Sequence, residues 1–180
     1  MRHNVAVDIN NQGQVVGTAG LPADTDSSFH AFLWQNDVLT DLGTLPGDVG
    51  SSGDGINSKG QVVGGSFDVD GNFRAFLWEN GVMMDLNTLI PADSPLFLLE
   101  ATGTINSRGQ IAGIALQIST GELHAFLATP STGGFASESA TLGETSRGPK
   151  VVLPENVRKM LREGRAKPYL RGGFGGWRPK

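Results

Sequence analysis

The sequence predicts an all-β chain: three stacked, four-stranded antiparallel units followed by a basic C-terminal tail. Three observations predict it. The same blocks of residues return in a fixed order, the strand-forming blocks are apolar on both faces, and 26 glycines accompany only 18% charged residues in a chain of 180. Many glycines with few charges suit tight turns and short strands. A helical bundle would need more Lys, Glu, Ala and Leu.

The repeat is the strongest signal. Ile9-Asn10-Asn11-Gln12-Gly13-Gln14-Val15-Val16-Gly17 returns 47 residues later as Ile56-Asn57-Ser58-Lys59-Gly60-Gln61-Val62-Val63-Gly64. It returns again after a further 49 as Ile105-Asn106-Ser107-Arg108-Gly109-Gln110-Ile111-Ala112-Gly113. His30-Ala31-Phe32-Leu33-Trp34 keeps step with Arg74-Ala75-Phe76-Leu77-Trp78 and His124-Ala125-Phe126-Leu127-Ala128. Asp41-Leu42-Gly43-Thr44-Leu45 returns once, as Asp85-Leu86-Asn87-Thr88-Leu89. The units are 1–47, 48–95 and an atypical terminal unit, 96–130, which lacks the last block.

Within a unit the first strand ends at the Ile-Asn pair. Asn-x-x-Gly-Gln is a turn, because Asn can bond its own backbone and Gly can take positive φ. The Gln-Val-Val-Gly run is the second strand. Asp68-Val69-Asp70-Gly71-Asn72 is a hairpin connection with an Asp-Gly cue. Ala-Phe-Leu-Trp is the third strand, Asn36-Asp37 and Asn80-Gly81 are tight turns, and the fourth strands run over Val38–Leu42 and Val82–Leu86.

Side chains alternate along a strand, so Phe32 and Trp34 share one face while Ala31 and Leu33 share the other. Both faces are apolar, and keeping both dry requires a sheet on each side. Four antiparallel strands per unit, stacked in this way, predict a β-propeller-like arrangement. A linear stack is the alternative. Three units fall short of the roughly four to eight that close a ring, so the expectation is a partial or open arrangement, or self-association with another copy. The chain enters unit one directly from Met1-Arg2-His3-Asn4 with no signal peptide, and the lack of an N-terminal cap predicts truncation on that side.

These blocks resemble the HAF repeat family of bacterial proteins, through His30-Ala31-Phe32 and His124-Ala125-Phe126. Unit two departs with Arg74-Ala75-Phe76. The resemblance covers residues 4–128 and implies a β-propeller-like fold and an extracellular or cell-surface location. It carries over no activity and no catalytic residue.

Repetition also sorts the candidate sites, since residues that recur in every unit serve the unit. His30, Arg74 and His124 occupy one place, where a long polar group at a strand start fits all three. His3 has no partner in sequence, and three histidines with no cysteine are a poor zinc set. Asp41 and Asp85 invite an acid–base reading, but bonding to backbone at a turn accounts for both. Asp68, Asp70 and Asn72 have the spacing that opens a calcium loop, with Glu79 at its twelfth position. Phe73 then stands where the loop needs glycine, which favours a hairpin turn. The P-loop, nucleophile-elbow and H-E-x-x-H patterns are absent.

The expected chain is therefore a non-enzymatic repeat protein with no cofactor and an unknown protein or polysaccharide partner. The alternative is a carbohydrate-binding or hydrolytic protein with a site at a blade mouth. No apolar run approaches the ~18 residues of a membrane span.

Charge divides the chain in two. Residues 1–140 carry four Lys/Arg against fifteen Asp/Glu, whereas 141–180 carry ten against three. Residues 131–180 form a linker and basic tail, with a short helix near 154–163 that presents Val157, Met160 and Leu161 on one face. Such a helix is marginal unless docked. An anionic surface is the expected contact of the tail. The single Arg171-Gly172-Gly173 is a weak match to nucleic-acid binding, which the acidic body opposes.

Overall fold

The structure is a computed structural model. It describes residues 4–20, 29–130 and 152–159, with the backbone alone over 102–104. His3, residues 21–28, the 131–151 linker and the tail beyond 159 lie outside the described residues.

Among the described residues, eleven strands form three antiparallel sheets. The first sheet runs β1 (Val5–Ile9), β2 (Val15–Gly20), β3 (Phe29–Gln35), β4 (Val38–Asp41) in that spatial order. The second runs β5 (Gly50–Ile56), β6 (Val62–Phe67), β7 (Phe73–Glu79), β8 (Val82–Asp85). The third has β9 (Leu96–Ile105), β10 (Ile111–Gln117) and β11 (Leu123–Ala128), with β10 in the middle. Within each sheet every strand is hydrogen-bonded to its neighbours in sequence, as the repeat pattern requires.

Turn chemistry sets the register. Asn36 and Asp37 (φ 49° and 65°) and Asn80 and Gly81 (φ 52° and 85°) make two-residue hairpins with both central residues left-handed. That geometry matches the twist of the strands they join. The fourth strands end one residue earlier than predicted. Asp41 Oδ1 accepts the Gly43 N–H at 2.8 Å, and Asp85 Oδ1 accepts the Asn87 N–H at 2.9 Å, so both chains turn at the aspartate. After Asp85 the turn is a 3-10 turn, Leu86–Thr88.

The glycine that closes each Gln-Val-Val-Gly block has a steric cause. The first strand of each unit bulges, at Ala6/Asp8, Gly53/Gly55 and opposite Ala112/Ile114. The bulge presses a carbonyl onto the second strand. A Cβ on Gly17, Gly64 or Gly113 would lie 1.9, 1.9 and 2.1 Å from the oxygens of Val5, Ser52 and Glu100.

The sheets pack face to face through two cores. Val16, Ala31, Leu33, Leu42 and Leu45 of unit one meet Ile56, Val62, Phe76, Trp78 and Met83 of unit two. Val63, Ala75, Leu77, Met84 and Leu86 of unit two then meet Leu98, Ile105, Ile111, Phe126 and Ala128 of unit three. The Val62-Val63 pair thus serves two interfaces, one residue each, by strand alternation.

Coverage on both sides holds only for the middle unit. Phe76 and Leu77 of β7 are both sealed, whereas Trp34 is 36% and Leu127 is 67% exposed. No further sheet among the described residues stacks beyond either outer face, and the C-terminal segment covers unit three only around Ile114 and Leu116, so the expectation that every third strand is dry on both sides is corrected for units one and three.

The C-terminal segment folds back onto the body. Residues 155–159 are helical, and Leu153 and Val157 are buried against Phe73, Phe97, Leu99 and Leu116. The Leu153 N–H donates to Asn72 Oδ1 at 3.0 Å, and Arg158 donates to the Asp70 carbonyl at 3.1 Å. The docking face is therefore Leu153 with Val157, and it spans units two and three rather than the last unit alone. Met160 and Leu161 lie outside the described residues.

Candidate functional site

The polar residues singled out by recurrence come together as cross-strand pairs. β3 and β4 place His30 beside Asp41, with Nδ1 at 2.9 and 3.0 Å from the two carboxylate oxygens. An ionised carboxylate only accepts, so the imidazole proton facing it is on Nδ1. In unit two, Arg74 takes the place of His30 and bonds Asp85 at 3.0 Å. One motif position and one aspartate thus form the same strut in both four-stranded units. In unit three the nearest acid to His124 is Glu122 at 3.8 Å, too far for a hydrogen bond. Among the described residues unit three has no fourth strand to carry an aspartate.

Arg74 has a second partner that the repeat pattern does not show. Its other guanidinium nitrogen bonds Asp48 at 2.8 Å and the Pro46 carbonyl at 3.1 Å, which ties the connection between units one and two to β7. Both carboxylates are buried, with side-chain exposures of 4% for Asp48 and 7% for Asp85. Burial pushes the Asp48 carboxyl above its ordinary range, and the hydrogen bond and charge of Arg74 offset only part of that. Burial also opposes charge on Arg74, but Asp48 and then Asp85 outweigh it and hold the guanidinium protonated. Asp48 occurs once, at a junction, so no recurrence could have flagged it.

Asn10, Asn57 and Asn106 do more than close turns. In each, Oδ1 accepts two backbone N–H groups, two and four residues on. Each Nδ2 donates to the glutamine of its own turn, at 2.7, 2.6 and 2.8 Å. The second hydrogen links units: Asn10 Nδ2 donates to the Asn57 carbonyl at 3.0 Å, and Asn57 Nδ2 to the Asn106 carbonyl at 3.1 Å. The signal in the sequence was that Asn and Gln stay fixed while the residues between them change, from Asn-Gln to Ser-Lys to Ser-Arg.

The calcium-like stretch is a copy of this same turn. Asp68 Oδ1 accepts the Asp70 and Asn72 N–H groups, and Gly71 (φ 78°) donates to the Asp68 carbonyl, as Gly60 does to Asn57. Asn72 Nδ2 also bonds the Asp68 carboxylate. Glu79, the twelfth-position residue, instead accepts from Gln61 Nε2 at 3.1 Å. Among the described residues no three His, Cys, Asp or Glu side chains converge as a metal ion would need.

Asp41 and Asp85 are each paired within their own sheet. The described geometry brings His30 to Asp41, Arg74 to Asp85 and Asp48, and Asp68 to Asn72. No helix among the described residues is long and apolar enough to cross a membrane. The chain matches no protein-family model, no curated protein and no solved structure.

Proposed function

We propose that this chain is a non-enzymatic structural and interaction module of an extracellular or cell-surface protein, with its sheets arranged in a β-propeller-like stack. The observation that carries the reading is how the recurring polar groups are used. The His/Arg–Asp struts join β3 to β4 and β7 to β8, the Asn-Gln turns join one unit to the next, and Asp68 builds a turn. Each is engaged in holding the repeat together, which leaves the loops and sheet surfaces to meet a protein or polysaccharide partner. The location rests on the resemblance of the His-Ala-Phe blocks to the HAF repeat family. The basic tail is assigned to an anionic surface on its charge alone.

A glycan array and a hydrolase substrate panel, run on the full chain, test this reading. Binding without turnover is the expected result. Turnover that disappears in Asp41→Asn or His30→Ala would show a catalytic site and overturn it. Retention on heparin that falls steeply with salt, and is lost when 160–180 are removed, is expected of the tail. Cell fractionation of the intact gene product tests the location.

A further inference from the structure

We propose that the apolar pocket between the 68–72 turn and strands β9 and β10 is a docking site for a short helix of a partner protein, and that residues 152–159 are its internal, displaceable occupant. This deepens the interaction-module reading, on which it rests, by naming the surface and the partner's chemistry.

The pocket is built by the repeat body. Phe73 comes from β7, Phe97 and Leu99 from β9, and Leu116 from β10. Neither Leu153 nor Val157 belongs to the two cores that join the units, so the sheets pack on one another without them.

The polar side of the pocket is aimed in advance. Asp68 Oδ1 accepts the Asn72 N–H at 2.9 Å, and its two carboxylate oxygens accept from Asn72 Nδ2 at 3.1 and 2.9 Å. With Nδ2 committed to the turn, Oδ1 of this buried side chain is left to accept a backbone N–H from outside it, and it takes that of Leu153 at 3.0 Å. The Asp70 carbonyl, on the same turn, takes Arg158 at 3.1 Å. Acceptors already held in place lower the ordering cost of binding.

The occupant is held by little. Of residues 152–159 only Leu153 and Val157 are buried. The Val157 and Arg158 N–H groups both donate to the Pro154 carbonyl, which starts the helix and sets the two buried side chains four residues apart on one side. That is the anchor spacing by which amphipathic helices lie in apolar grooves. Segments with few buried contacts open at lower free energy than the core. Opening uncovers Phe73, Phe97 and Leu116 to water, so a replacement helix is favoured over an empty pocket. The ligand chemistry follows from the residues seated there, Leu153-Pro154-Glu155-Asn156-Val157-Arg158: an aliphatic anchor, a proline to start the helix, a second aliphatic anchor four residues on, and a cation after it. Tethering gives the internal copy an effective concentration on the order of millimolar, which holds the pocket closed against weak competitors.

A fluorescent peptide of residues 150–162, titrated into the full wild-type chain and into full-length Leu153→Glu, tests the proposal. The substitution puts a carboxylate where the pocket is apolar and unseats the internal copy. The peptide is expected to bind the variant about tenfold or more tighter than wild type, because its competitor is gone, and to shift the amide resonances of Phe73, Phe97 and Leu116. The same peptide carrying Leu153→Glu is expected not to bind. No binding to the variant, equal binding to both chains, or shifts that map elsewhere would each overturn the proposal. Should the variant fail to fold, hydrogen exchange on the wild type decides: the Leu153 and Val157 amides are expected to exchange about tenfold or more faster than the protected amides of β10, by local opening, and equal protection overturns a displaceable segment. A concentration-dependent dimer of wild type that Leu153→Glu abolishes would assign the pocket to a second copy and overturn a foreign partner. Failure here leaves the interaction-module reading to the glycan array and substrate panel, which do not depend on this pocket.

Discussion

Replacing Asn57 by aspartate isolates the hydrogen bond that joins units two and three. The substitution keeps the oxygen that closes the turn, which accepts from Lys59 at 2.9 Å and Gln61 at 3.1 Å. It removes the Nδ2 that donates to Gln61 Oε1 at 2.6 Å and to the Asn106 carbonyl at 3.1 Å. Two acceptors then face a carboxylate in a site where Asn57 is only 4% exposed. Gln61 cannot recover by turning its amide, because its Nε2 is committed to Glu79 at 3.1 Å. Two lost bonds at about 1 kcal/mol each, plus the desolvation of buried acceptors, give a destabilisation of about 3 kcal/mol. Asn106→Asp is the matched control. It loses the same within-turn bond on an exposed turn and makes no onward bond among the described residues, so its cost is under about 1 kcal/mol. Equilibrium urea unfolding at neutral pH and low protein concentration measures both. If Asn57→Asp proves no more costly than Asn106→Asp, the ladder contributes nothing and the reasoning fails.

Gly64→Ala sets a Cβ 1.9 Å from the Ser52 carbonyl oxygen, so the bulged strand pair must part; overpacking against backbone costs about 3 kcal/mol, seen as a lower urea midpoint. Arg74→Met leaves Asp48 and Asp85 buried without their cation and should cost about 3 kcal/mol, with much less lost in Arg74→Met/Asp48→Asn/Asp85→Asn. Because the folded Asp48 carboxyl titrates above its unfolded value, its contribution is fully present below the unfolded pKa and is lost as pH rises through the folded one. Wild type should therefore gain stability relative to Asp48→Asn as pH falls into the carboxylate range, and an advantage that instead grows with rising pH would refute this. Leu153→Ala empties a site against Phe73, Phe97, Leu99 and Leu116; about 2–3 kcal/mol of stability should go with it in a thermal or urea melt, whereas an unchanged melt would show that the segment does not dock.

The sequence by itself determined the local structure. Recurring Asn-x-x-Gly-Gln, Asn-Gly and Asn-Asp turns placed the strand ends, because few residues tolerate positive φ and those turns demand it. The doubly apolar Ala-Phe-Leu-Trp blocks required sheets lying on sheets, because such strands cannot face water. The roles of Asp41 and Asp85 at turns were legible for the same local reason. What only the tertiary structure decided is which groups meet across long separations in the chain. Asp48 reaches Arg74 from a connection that occurs once, and the second hydrogen of Asn57 crosses 49 residues to Asn106. Leu153 finds its pocket 81 residues from Asn72. Such partners leave no period in the sequence, because they are fixed by how one sheet settles on another. The open faces at Trp34 and Leu127 were hidden for that reason too: a repeat unit looks the same in sequence whether or not a neighbour covers it.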